Sequence, residues 1–73
     1  MTLEEKIQFL EDIMEVDEDT LKKDTSLDEI EEWDSLSALV LTMEMKKKYD
    51  MIITTEMIKG FKTVYDICQC IPD

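Results

Sequence analysis

The sequence predicts an all-α fold: a small four-helix bundle of three main helices and one short helix, with a long loop between the first two. Three observations carry that prediction. The chain has one Gly and one Pro in 73 residues, too few turn formers for a small β fold. Apolar residues recur at helical spacing in separate segments. Thr-led capping signatures and an Asp-Ser pair stand at the heads of those segments. Hydrophobic residues make up 44%, which suits a globular chain, but a domain near this size buries only about 60% of its unfolded surface. Residues 1–73 therefore read as a single domain with a thin core and no room for an enclosed active-site cavity of ordinary size. A self-contained enzyme is not expected.

The first helix opens at once. Thr2 and Glu5 form a T-x-x-E capping box, in which side chain and backbone satisfy each other's free groups. Leu3, Ile7, Leu10 and Met14, with Ile13 beside them, predict a helix over residues 3–15. Residues 16–33, "VDEDTLKKDTSLDEIEEW", show no sustained period and many acids. Loops longer than about 12–15 residues in a compact domain are functional or disordered. Leu21, Leu27 and Ile30 are spaced along this one as apolar pegs, which predicts an ordered loop pinned to the core, with space for a short helical turn.

The second helix runs from Ser35 to Tyr49. Its apolar residues fall on two opposite faces at about 100° per residue. Ala38, Leu41, Met45 and Tyr49 form a stripe along the whole helix and are assigned to the core. Leu36, Leu39, Val40 and Met43 form the other, with Leu39 expected to be the most buried of the four. So small a domain cannot bury both faces, so this second stripe is expected to be partly exposed and to meet something outside the domain. Lys46, Lys47 and Lys48 suit the helix C-terminus. Met51, Ile52 and Ile53 are expected to cross the core in extended form. Thr54 or Thr55 then caps a short third helix that stops near Gly60. Thr63 and Asp66 cap the last, which turns Val64, Ile67 and Ile71 inward and ends before Pro72.

The net charge is −11, from 19 acids against 8 bases. Nucleic acid and anionic membranes are polyanions, so neither is an expected partner. A charge beyond about 8 exceeds what solubility asks of a small domain. Two readings stay open with equal weight: the charge only keeps a small domain soluble, or it also draws in proteins with basic patches. The N-terminus carries acids where a signal peptide needs bases, and no apolar run approaches the ~20 residues of a membrane span. The expected compartment is the cytoplasm, where Cys68 and Cys70 stay reduced. Two Cys at Cys-x-Cys spacing and no His do not make a zinc site. Asp17 and Asp19 lack the Gly and terminal Glu of a calcium loop. No metal is expected.

The informative stretch is "EIEEWDSLSALVL", residues 29–41. Asp34 is placed to cap the second helix, which puts Ser35 at its first position with an outward hydroxyl. A phosphate attached there would sit at the positive end of the helix dipole. Glu31, Glu32 and Asp34 would repel a free phosphate, so a covalently held one fits better, with a basic partner enzyme supplying the opposite charge. Ser35 does not read as a catalytic nucleophile, because the chain has no His to serve as its base. Taken alone, the Asp-Ser pair is also consistent with a plain helix cap.

At this position and with these flanks, the Asp34-Ser35-Leu36 triplet resembles the attachment motif of the acyl carrier protein family, which includes peptidyl carrier domains. "DTSLDEI" is similar to the loop ahead of that motif, "WDSLSALVL" to the motif itself, "YDMII" to the exit from the second helix and "FKTVYDICQCI" to the last helix. The resemblance spans nearly the whole chain. It implies that Ser35 carries 4′-phosphopantetheine, transferred from coenzyme A by a separate phosphopantetheinyl transferase. The arm's thiol would hold an acyl or aminoacyl group as a thioester. The protein would be a non-catalytic monomer, presenting its cargo to loading and transferring enzymes with basic patches. Carried over by position, the partner surface would be Asp34, Leu36, Val40 and Met43. Two departures point away from fatty acid synthesis and toward a specialised pathway. Glu31-Glu32-Trp33 replaces the Gly that often precedes the Asp, and Val40 stands where an acid is usual. The rival reading is an unmodified acidic helical interaction module that binds through the second stripe.

Overall fold

The protein is described from a computed structural model covering residues 1–72. Four helices follow in order: α1 (Leu3–Met14), α2 (Ser35–Tyr49), α3 (Thr55–Gly60) and α4 (Val64–Cys70). A single 3₁₀ turn, Leu27–Glu29, interrupts the long α1–α2 loop.

The capping chemistry sets the helix starts. At α1 the Glu5 N–H donates to the Thr2 hydroxyl at 3.2 Å while the Thr2 N–H donates to the Glu5 carboxylate at 2.9 Å. At α4 the Asp66 carboxylate accepts from the Thr63 N–H at 3.1 Å and the Lys62 N–H at 2.9 Å. Thr54 caps α3 through the Met57 N–H at 3.1 Å. The backbone bonds hold the Glu5 and Asp66 carboxyls below their ordinary ranges, because they favour the charged form. A carboxyl lowered on folding contributes stability above its unfolded pKa and loses it as pH falls through the lowered value. Asp66→Asn is therefore expected to destabilise most near neutral pH, and the gap from wild type should shrink below about pH 4. Urea midpoints measured across pH 2.5–7 check this.

Two helix stops are left-handed. Glu15 (φ 58°) ends α1 and Asp50 (φ 55°) ends α2, each closing the last turn with its own N–H. Gly60 does not act this way. It is the last residue of α3, its φ is not positive, and a Cβ there would meet nothing within 4 Å. The stop comes from Phe61, whose extended backbone leads to the Thr63 cap.

The core joins Leu10 and Met14 of α1, Leu41 and Met45 of α2, Ile53, and Val64, Ile67, Cys68 and Ile71 at the C-terminal end. The three loop pegs complete it: Leu21, Leu27 and Ile30 are all buried. Hydrogen bonds stitch the loop to the approach to α4. The Leu27 N–H donates to the Lys62 carbonyl at 2.9 Å, Val64 to Thr25 at 3.1 Å and Tyr65 to Lys23 at 2.8 Å. Ser26 and Thr63 form an isolated antiparallel bridge. Cys68 is a free thiol packed in this core, and burial pushes its pKa up to about 11.

Glu11 is the unexpected core residue. It is 2% exposed, and its carboxylate accepts the Leu21 N–H at 3.0 Å. This bond fastens the loop to α1 where Leu21 enters the core. Glu11→Ala would leave that buried N–H without its acceptor, and a hydrogen bond to a charged group contributes about 1.5–3 kcal/mol. A loss of that size is expected in chemical denaturation, and Glu11→Gln, which keeps an acceptor oxygen, should lose less.

Ile52 and Leu39 depart from the sequence expectation. Ile53 is buried but Ile52 is 70% exposed, because an extended chain sends successive side chains to opposite sides. Leu39 is 55% exposed, whereas Val40 is half-buried. Val40, Glu44 and Lys48 form one i, i+4, i+8 ridge that leans over Phe9 and Ile13 of α1. The Lys48 ammonium sits 4.8 Å from the centre of the Phe9 ring. Leu39 lies on the opposite flank, which α1 does not cover.

Candidate functional site: the head of helix α2

The site begins with the cap of α2. Asp34 is extended, and its carboxylate accepts the Ser37 N–H at 2.9 Å. The Ser37 hydroxyl donates to the Glu32 carbonyl. These two bonds clamp the end of the acidic loop onto the first turn of the helix. Ser37 is buried as a result, a role its sequence position beside Leu36 does not announce. Its only signal is the polar i+3 position after an Asp cap.

Ser35 is the first residue of α2 and is exposed. Its hydroxyl makes no hydrogen bond with any described residue. It stands at the end of the helix where backbone N–H groups lack intrahelical partners and negative charge is favoured. Along the helix from Ser35, Leu36, Leu39 and Met43 are 68%, 55% and 60% exposed. Asp34 is exposed at the head of this face, and Val40 lies at its edge against α1.

A groove of about 600 Å³ opens beside Ser35, between α2 and the segment that includes α3. Trp33, Leu39, Ile53 and Ile58 supply apolar wall, and Lys59 supplies its one cation. Trp33 both packs against the core and lines this groove. Among the described residues no cluster of three or more His, Cys, Asp or Glu could hold a metal ion. None of the described helices is long and apolar enough to cross a membrane.

These features suit 4′-phosphopantetheine. The Ser35 hydroxyl is unengaged and outward, partnerless N–H groups lie close to where a phosphate on it would sit, and an open trough runs beside it. A helical bundle that holds out such a hydroxyl at a helix start has the form of a carrier. The chain belongs to the phosphopantetheine attachment site family, whose model matches residues 7–71. It is a non-catalytic carrier protein, and its cofactor is covalently attached 4′-phosphopantetheine. Its fold is similar to the solution structure of the holo acyl carrier protein from Geobacter metallireducens. The match has a TM-score of 0.71 and 25% identity, covering 93% of this chain and 78% of that one. No curated protein matches the chain.

Proposed function

We propose that Ser35 is the attachment residue and that the protein carries acyl or aminoacyl thioesters for a dedicated biosynthetic pathway. The observation that carries this reading is the unengaged Ser35 hydroxyl at the first position of α2. Loading is the work of a separate phosphopantetheinyl transferase. The Ser35 oxygen displaces 3′,5′-ADP from the pyrophosphate of coenzyme A. One P–O bond forms as another breaks, and the hydroxyl proton passes to a base of the transferase. When bound, the arm supplies a thiol that holds cargo as a thioester.

This chain's residues do the presenting. Asp34 fixes the turn that aims the hydroxyl outward. Leu36, Leu39 and Met43 give visiting enzymes an apolar face beside the attachment point, and Val40 borders it. Glu31, Glu32 and Asp34 attract the basic patches of those enzymes. The cluster Lys46, Lys47 and Lys48 makes the far end of α2 basic, which favours a partner set unlike that of a uniformly acidic helix. The protein is expected to act as a cytoplasmic monomer.

The test is to incubate the protein with coenzyme A and a transferase of broad range, then map the product by proteolysis and mass spectrometry. One phosphopantetheine on the peptide containing Ser35 is expected. Modification at another residue, or none with several such transferases, overturns the assignment.

A further inference from the structure

The acidic surroundings of Ser35 raise a problem that the structure answers within the chain. The phosphodiester linking an arm to Ser35 keeps a full negative charge at any physiological pH. Glu31, Glu32 and Asp34 precede it immediately, in a chain of net charge −11. All three are exposed, so an arm left to itself is driven away from the surface. Lys59 lines the same groove as Ser35 and is the one cation there. Its ammonium makes no ion pair or hydrogen bond with any described residue. Other lysines are engaged: Lys46 pairs with Asp50 at 2.6 Å, and Lys48 lies over Phe9.

We infer that Lys59 is the counter-ion of the arm's phosphodiester, and that it seats the base of the arm in the groove between α2 and α3. The inference rests on Ser35 being the attachment residue. Lys59 is a positioning residue, since it acts on where the arm lies and not on any bond made or broken. Its long stem lets the ammonium reach across the groove mouth while staying hydrated. Trp33, Leu39, Ile53 and Ile58 then give the methylene and methyl groups of the arm an apolar wall to rest on. Attraction between exposed charges fades beyond about 10 Å at 0.1 M salt and about 3 Å at 1 M. A seated arm is therefore favoured at low salt and released at high salt.

Trp33 is the only tryptophan in the chain and forms part of the groove, so its emission reports on occupancy. Wild type, Lys59→Arg, Lys59→Gln and Lys59→Glu are each converted to the holo form with coenzyme A and a transferase. Conversion is verified by intact mass and folding by circular dichroism. Lys47→Glu makes the same charge change outside the groove and serves as the control. In wild type, loading should shift Trp33 emission, and rising salt should reverse the shift. Lys59→Arg and Lys47→Glu should keep the shift, Lys59→Gln should lose most of it and Lys59→Glu nearly all. Equal, salt-insensitive shifts in all fully loaded variants would overturn the role of Lys59 while leaving attachment at Ser35 intact. Failure of the wild type to load at Ser35 would overturn both.

Discussion

Ser35→Ala is expected to accept no phosphopantetheine at all, under conditions that load the wild type to completion. The chain has three serines, and the structure treats them differently. Ser26 is part of the stitched loop, paired across a bridge with Thr63. Ser37 is buried and spends its hydroxyl on the Glu32 carbonyl. Ser37 is buried with its oxygen engaged, and Ser26 is half-buried in the loop before a three-residue turn, so neither offers the exposed oxygen at the head of an α-helix that Ser35 offers. The comparison variant is Ser37→Ala. It removes a bond that clamps the loop to α2, so it should melt earlier than wild type, yet it should still load at Ser35. Ser35→Ala removes no hydrogen bond and should melt like wild type. Intact mass after loading, with a thermal melt beside it, separates the chemical role from the structural one. Loading of Ser35→Ala would refute the proposed function.

Leu41→Ala should be among the most damaging truncations of α2, beside that of Met45, which is equally buried. Leu41 is 1% exposed and belongs to the core with residues of α1 and α4. Truncating a buried leucine costs about 2–5 kcal/mol, the spread reflecting how far the site can collapse. At roughly 0.05–0.15 kcal/mol per residue, a chain of this length has a total stability of about 4–11 kcal/mol. The variant therefore gives up much of its margin and, at the upper end of the cost, populates the unfolded state at room temperature. Met43, two residues on, is 60% exposed. Met43→Ala should stay within about 0.5 kcal/mol of wild type, as surface substitutions do. Urea denaturation of the two variants measures the difference. Equal losses would show that α2 buries both faces.

That face assignment marks where sequence reasoning reaches its limit. The period along α2 separates two apolar stripes, and length alone says that one must stay outside. It does not say which flank of the outer stripe another helix will shade. α1 packs on the Val40 side, so Val40 is half-buried and Leu39 is not, the reverse of the expected order. The outward turn of Ile52 was readable from strand alternation once Ile53 was known to be buried. Glu11 carried a weak signal as well, lying four residues after Ile7 and three before Met14, on the inward stripe of α1. Charge argued against burying it. Only the free N–H of Leu21, ten residues later, gives that carboxylate a reason to be inside.

The sequence by itself determined the helices and their starts, because capping and periodicity act over three or four neighbouring residues and leave their marks in the spelling of the chain. It also determined that an Asp-capped serine opens α2 and that acids surround it. The tertiary structure alone decided that the loop is tied to the α4 approach, that Glu11 is buried, that Leu39 is uncovered, and that Lys59 shares a groove with Ser35. Each of these depends on groups many residues apart in the chain, and such meetings are settled by how the helices pack rather than by any local pattern.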